Sequence, residues 1–241
     1  MAEPPRKRMV RPPTGGEPRA PSLRLKSAKA HSASSQAWLE RQLNDPYVAE
    51  AKARGYRSRA AFKLLEIDDR LRLIRRGGRV VDLGCAPGGW IQAAQARGAG
   101  EIVGVDLLVV GALPPARILQ GDFTDPAVEA RLSALLGGRV DLVLSDMAPN
   151  TTGHRATDHL RIVALVEAAA EFATRTLRPG GALVAKAFQG GETAEVIGRL
   201  KRAFAEVRTL KPKASRAESS EVYLAATGFR GDAPASGSPE T

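Results

Sequence analysis

A single cysteine, Cys85, stands among the 241 residues. It closes no internal disulfide and cannot supply a multi-cysteine zinc site. A secreted disulfide scaffold is therefore excluded, and a reducing, cytoplasmic compartment is expected. Aromatic residues make up only 5%, so a core has to be built from Val, Leu, Ile and Ala. Hydrophobic residues reach 43%, enough to fill one. Long apolar runs are missing as well. The run 102–113 is broken by Asp106 and Gly111, well short of the roughly 20 residues that span a bilayer, and no membrane partner is expected. No apolar segment follows the basic start of the chain, which reads against a signal peptide. Pro4, Pro5, Pro12, Pro13 and Glu17 read against an amphipathic presequence. The three histidines, His31, His154 and His159, show no ligand pattern, so no metal site is expected.

Positive charge, in contrast, is abundant. The net charge is +10, which favours polyanionic partners. Residues 1–34 hold eight Lys or Arg against Glu3 and Glu17, with Pro, Ser and Ala between them and no periodicity. They read as a disordered basic arm, and 231–241 as a disordered tail carrying Asp232 and Glu240. The remaining positive charge belongs to the domain between them, residues 35–230, so basicity is not confined to an arm.

Within that domain helical and strand patterns alternate. Helices are expected at 36–54, 58–74, 88–96, 125–136, 156–177 and 192–204. Asp125 serves as an N-cap with Pro126 at the first helical position of the fourth. Strands are expected at 79–83, 101–106, 116–120, 140–145, 181–188 and 221–227. Alternation of this kind implies a parallel α/β sheet with right-handed crossovers. Ligands of such sheets bind outside the carboxyl ends of the strands.

The first strand ends in Asp82-Leu-Gly-Cys-Ala-Pro-Gly-Gly-Trp90. Its glycines allow a sharp strand-to-helix turn and a close backbone approach to a ligand. The loop lacks Gly-Lys-Ser/Thr, so it is no P-loop, and its spacing departs from the dinucleotide fingerprint. The second strand ends in Asp106, placed to accept ribose hydroxyls. The third ends in Gln120-Gly-Asp122-Phe123, where Asp122 faces an adenine amino group. Each acid alone is an ordinary cap or loop residue; three nucleoside-compatible strand ends in succession fit the adenosine of S-adenosylmethionine. Asp146, in Ser145-Asp-Met-Ala-Pro-Asn150 after the fourth strand, lies near the methionine half. A carbon-5 pyrimidine methyltransferase needs a cysteine nucleophile on the acceptor side, and none is there. Cys85 reads as a small residue in a tight space.

Lys186 sits inside the apolar strand Leu183-Val-Ala-Lys-Ala-Phe188. A central parallel strand has both faces covered, so a solvated, outward lysine is disfavoured there. A desolvated lysine beside another cation can act as a base. Lys63, in Ala60-Ala-Phe-Lys-Leu-Leu65, is likewise set among apolar neighbours, where the bland reading is a snorkelling helix lysine. Glu221 opens the last strand.

Six blocks in order now carry a resemblance: Ser58-Arg-Ala-Ala-Phe-Lys-Leu-Leu-Glu66, Asp82–Trp90, Gln120-Gly-Asp-Phe123, Ser145–Asn150, Lys186-Ala-Phe-Gln-Gly190, and Ser215-Arg with Glu221-Val-Tyr and Ala226-Thr-Gly228. Over residues 35–230 the chain resembles the FtsJ/RlmE family of ribosomal RNA ribose 2′-O-methyltransferases. The resemblance implies a Rossmann-like, mostly parallel seven-stranded sheet with an antiparallel last strand and helices on both faces. It implies a Lys-Asp-Lys-Glu catalytic set, matched by Lys63, Asp146, Lys186 and Glu221, and S-adenosylmethionine contacts at Gly88, Trp90, Asp106, Asp122 and Asp146. Lys186 is then the base, Lys63 supplies a positive field, Asp146 orients Lys186, and Glu221 supports. The implied acceptor is a uridine of large-subunit ribosomal RNA in an assembled or nearly assembled subunit. DNA is not expected because it lacks the 2′-hydroxyl, and a monomer is expected because no long apolar stripe is left over for a partner. Of Lys52, Arg54, Arg57, Arg59, Arg70, Arg72, Arg75, Arg76 and Arg79, about half are expected to touch phosphates and the rest to form an ordinary solvated helix face. The chain departs from the family pattern at Cys85, where Ala is common, and in its longer basic arm. A transfer-RNA ribose methyltransferase and a non-catalytic assembly factor of the same fold are the competing readings.

Overall fold

A computed structural model describes residues 39, 40, 42–149, 155–190 and 194–231. The basic arm 1–34 lies outside these residues, as does the tail apart from Gly231; so do Asn150, His31 and His154.

After helical turns at residues 39, 40, 42 and 43, helix α1 runs Pro46–Ala53. The sequence reading carried one helix from 36 to 54, and the Asp45-Pro46 pair breaks it. Proline disfavours helical backbone at the residue before it. Asp45 is accordingly extended, and its side chain accepts the amide N–H of Tyr47 at 3.0 Å. The same device opens α4 (Pro126–Leu136), where Asp125 accepts the N–H of Ala127 at 2.8 Å. Helix α2 (Ala60–Leu71) buries Ala61, Phe62, Leu64, Leu65 and Ile67 on one face.

Seven strands follow: β1 Arg79–Leu83, β2 Glu101–Asp106, β3 Arg117–Gln120, β4 Val140–Ser145, β5 Leu177–Phe188, β6 Phe204–Leu210 and β7 Glu221–Phe229. Between them lie α3 (Gly89–Ala96), α5 (Arg155–Thr176) and α6 (Ala194–Ala203). The strands form one sheet in the order β3-β2-β1-β4-β5-β7-β6. Pairings from β3 to β5 are parallel, and β7 runs antiparallel to both β5 and β6. This is the Rossmann-like sheet with an antiparallel last strand that the resemblance implies. Strand β5 starts at Leu177, directly after α5, and its register with β4 shifts before Ala182. The Arg178-Pro-Gly-Gly turn is thus a bulge within the strand and not a loop ahead of it.

The strand period sorts the core into two layers. Val81, Leu83, Leu183, Ala185, Val222 and Leu224 face α4, α5 and α6. Val80, Val184, Tyr223 and Ala225 face α1, α2 and α3. Among the described residues, no helix is long and apolar enough to cross a membrane.

Candidate active site

The alternation that buries Val184 under α2 and α3 turns Lys186, two residues on, to the same side. There it is only 9% exposed. Its Nζ lies 2.9 Å from Asp146 Oδ1 and donates to the Asp146 backbone carbonyl at 2.8 Å, with Glu221 Oε2 at 3.9 Å. Register explains the last neighbour, since β7 enters antiparallel and pairs Phe188 with Glu221 and Lys186 with Tyr223. Lys63, on the first turn of α2, reaches across to Glu221 Oε1 at 2.7 Å. The four sequence-named polar residues therefore form one closed cluster at the carboxyl ends of β4 and β5.

Tyr223 completes the cluster. Its hydroxyl receives a hydrogen bond from Lys63 Nζ at 3.1 Å and donates to Asp146 Oδ1 at 2.6 Å. Its ring packs on Trp90 with centroids 5.6 Å apart. Sequence reading passed over it, although the period of two starting at Glu221 would have placed it on the catalytic face. Burial raises the Tyr223 phenol well above its ordinary 10.0, and the Asp146 and Glu221 charges push the same way, so it remains a donor. Burial alone would raise Glu221 too. Lys63 and then Lys186, with hydrogen bonds from Lys63 and Ser215, outweigh it and hold the carboxyl below its ordinary 4.5.

The loop from β1 to α3 forms the other half of the site. Gly84 and Gly88 have φ of 75° and 108°. A Cβ at Gly84 would lie 2.3 Å from Met147 Cγ, and one at Gly88 2.3 Å from Leu113 Cδ1. Asp106 ties this loop down, accepting the N–H of Ala86 through Oδ2 and that of Leu108 through Oδ1, each at 2.8 Å. Each oxygen keeps a lone pair for a ligand hydroxyl. Asp122 is exposed at the end of β3; its Oδ1 accepts from Thr124 N and Oγ1. The Trp90 indole is buried, donating to the Ala60 carbonyl at 2.8 Å, so only its backbone in the first turn of α3 is left for a ligand. Cys85 is a buried thiol whose pKa is raised by burial and by the Asp82 and Asp106 charges, which keeps it protonated.

A supporting shell lay beyond the sequence reading. Ser215 donates to Glu221 Oε1 at 2.8 Å. The loop bearing Ser215 is itself held by Glu66 of α2, whose carboxylate accepts the amides of Lys213 at 2.6 Å and Ala214 at 2.9 Å. Arg57 stitches the glycine loop to the loop after β2, donating to the carbonyls of Pro87 (3.2 Å), Gly111 (2.7 Å) and Ala112 (2.9 Å). Asp82 is 1% exposed, and among the described residues neither of its oxygens has a hydrogen-bond partner.

With this geometry in view, the likeness to known proteins has a physical basis. A solved structure described as that of a ribosomal RNA methyltransferase from Plasmodium falciparum superposes with a TM-score of 0.67 at 30% identity, covering 73% of this chain and all of that one. A Streptococcus thermophilus protein described as a hemolysin shares the fold alone, with a TM-score of 0.54 at 17% identity over 75% of this chain and 71% of its own. The Caulobacter sp. (strain K31) protein named ribosomal RNA large subunit methyltransferase E is 62% identical over 225 residues, covering 92% of this chain and the whole of that protein. The model of the FtsJ-like methyltransferases matches residues 56–229, from just ahead of α2 to the end of β7. That span contains every residue of the cluster and of the glycine loop, and the chain belongs to the FtsJ-like methyltransferase family.

Proposed function

We propose that the chain transfers a methyl group from S-adenosylmethionine to the ribose 2′-oxygen of a uridine in large-subunit ribosomal RNA, in an assembled or nearly assembled subunit. The observation that carries the reading is the closed Lys63–Glu221–Lys186–Asp146 cluster beside the glycine loop. The Caulobacter relative's name supports the acceptor. RNA is required because DNA lacks the 2′-hydroxyl.

The residues present fit the methyl donor. A Cβ at Gly84 or Gly88 would run into Met147 or Leu113, so the loop turns tightly only with glycine, and a backbone without side chains there can approach a ligand closely. Burial first, and then the Asp146 and Asp106 charges, raise the Asp82 carboxyl well above its ordinary 3.8 and keep it protonated; the two charged neighbours give this side of the loop a negative potential suited to a cationic ligand. Asp106 and Asp122 would hold the ribose and the adenine. When bound, S-adenosylmethionine supplies an electrophilic methyl on a positively charged sulfur. Lys186 is the base: having released its own proton to solvent, it takes that of the 2′-hydroxyl, a contribution of about 10²–10⁴-fold. Asp146 holds Lys186 through both its carboxylate and its carbonyl, which fixes the line of attack. Lys63 places a positive charge beside the developing alkoxide, and Glu221 with Tyr223 holds Lys63 in position.

The test uses labelled S-adenosylmethionine with naked ribosomal RNA, large subunits from a strain lacking the protein, and transfer RNA, with Lys186→Ala as control. Label in 2′-O-methyluridine from the subunits, absent with the variant, is the expected result. Label on transfer RNA would overturn the acceptor. Cofactor binding with no label on any acceptor would leave an assembly factor.

A further inference from the structure

Besides Lys63, the sequence offers nine cations between residues 52 and 79, about half of them expected to touch phosphate, and the structure divides them. Arg54 pairs with Glu50, Arg79 with Glu101, and Arg59 with Asp45 and the Ala214 carbonyl, while Arg57 grips loop carbonyls. Arg70, Arg72 and Arg75 are exposed, and among the described residues their side chains make no ion pair or hydrogen bond. All three converge at the C-terminal end of α2 on a cavity of about 360 Å³. The cavity also receives Asp141 and Glu206, but these are committed, Asp141 to Arg178 and Glu206 to Arg208. Three of the cavity's guanidinium groups are left without a counter-charge; Lys52 and Arg76, also exposed, lie outside it.

Two further observations point outward. Arg72 has φ 54° and is the only non-glycine with positive φ among the described residues. It caps α2 where glycine is the usual residue. A side chain kept in a sparsely populated conformation calls for a use. Secondly, Lys213 emerges exposed and unpaired where Glu66 holds its backbone, between Lys63 and Arg70 along α2. Cations therefore run from the catalytic end of the sheet to the opposite end. The distance is about 13 Å, whether counted as nine helical residues from Lys63 to Arg72 or as four strand residues from Lys186 to Ala182.

Building on the RNA reading above, we propose that the cavity of Arg70, Arg72 and Arg75 is a second anchoring site, which takes backbone phosphate of the substrate RNA at the end of the sheet opposite the methyl transfer. Guanidinium groups suit phosphate oxygens through paired N–H donors. A span of ~13 Å corresponds to about four stacked nucleotides at ~3.4 Å each. The site sets where the RNA lies and takes no part in the chemistry.

The test compares the full chain with Arg72→Gly alone and with Arg70→Gln/Arg72→Gly/Arg75→Gln. Large subunits and naked ribosomal RNA are titrated over a range of salt; S-adenosylmethionine affinity and melting temperature are measured alongside. The triple variant should bind RNA at least about tenfold more weakly, and the slope of log K against log salt should fall by about 2, from ~0.7 per phosphate contact. Its KM for RNA should rise with kcat kept, and its cofactor affinity should not change. Arg72→Gly should lose one contact without melting earlier, since glycine relieves the left-handed residue. Unchanged affinity and slope in the triple variant, beside a wild type that binds and methylates RNA, would overturn the anchoring site alone. Competition by inorganic phosphate or ADP for the cavity with RNA binding unaffected would reassign it to a free anion and overturn it too. A wild type that takes no RNA overturns the functional reading and this site with it.

Discussion

Replacing Glu66 by alanine should destabilise the domain and slow the reaction, although Glu66 touches neither substrate nor cofactor. The carboxylate is 7% exposed and accepts the amides of Lys213 and Ala214, with the Tyr47 hydroxyl at 3.4 Å. Alanine leaves both amides without an acceptor, one of them on the fully buried Ala214. A stranded buried donor costs about 1–3 kcal/mol. The half-covered Lys213 amide costs less, because water reaches it, so the sum is about 2–4 kcal/mol. For a domain of this size that corresponds to a melting temperature lower by about 5–15 °C. The freed loop also carries Ser215, which orients Glu221, and kcat should fall by about 10–100-fold while S-adenosylmethionine affinity holds. A third readout is spectroscopic. The Tyr47 phenol is pushed up to about 12, first by burial and then by the Glu66 charge and hydrogen bond. In the variant one tyrosine should ionise at lower pH in an ultraviolet titration. Melting within about 1 °C of wild type, with kcat unchanged, would refute the reasoning.

Three further outcomes are expected. Asp82 holds its proton more tightly in the folded state than in the unfolded one, so wild-type stability should decline as pH rises through the ordinary 3.8 toward the raised value. Asp82→Asn should therefore melt above wild type at pH 8 and converge with it near pH 4; a gap that widens toward acid would count against this. Gly84→Ala adds a Cβ 2.3 Å from Met147 Cγ in left-handed backbone, and Gly137→Ala, with φ 63° and nothing within 4 Å, adds only the strain. Both should lose about 1–3 kcal/mol in denaturant melts, but only Gly84→Ala should weaken cofactor binding, as read by calorimetry. Tyr223→Phe removes the hydroxyl between Lys63 and Asp146; at about 1.5–3 kcal/mol for a hydrogen bond to a charged group, kcat should fall by about 10–150-fold with KM for RNA little changed.

Local pattern made much of this molecule legible. The Asp125-Pro126 start of α4 was readable because capping is a matter of adjacent residues, and Asp45-Pro46 carried the same signal within a stretch whose apolar spacing ran on through it. Strand β6 was missed for an energetic reason. It is an edge strand, of which only Phe204 is buried, and it is held by β7 alone, so its residues show little strand period and merge with the end of α6. Of the four polar residues of the cluster, Lys186 was legible because it breaks a local rule, a lysine in an apolar strand; Lys63 and Glu221 read locally as an ordinary helix lysine and the start of a strand, and only the family resemblance joined them to Asp146 and Lys186. Glu66 and Ser215 break none. Their importance lies in contacts with partners such as Ala214, 148 residues from Glu66, and in a loop geometry that no local pattern encodes.

The antiparallel entry of β7 also makes activity a measure of alignment. Glu221 and Tyr223 reach the cluster because Phe188 and Lys186 are their partners. A slip by one residue would turn Val222 and Leu224 to the catalytic face and drive Glu221 and Tyr223 into the layer beneath α5 and α6. Such a molecule could keep most of its helices and strands, and it would transfer no methyl groups. Specific activity, set against the circular dichroism of the same sample, thus counts the fraction of chains whose seventh strand has docked in phase.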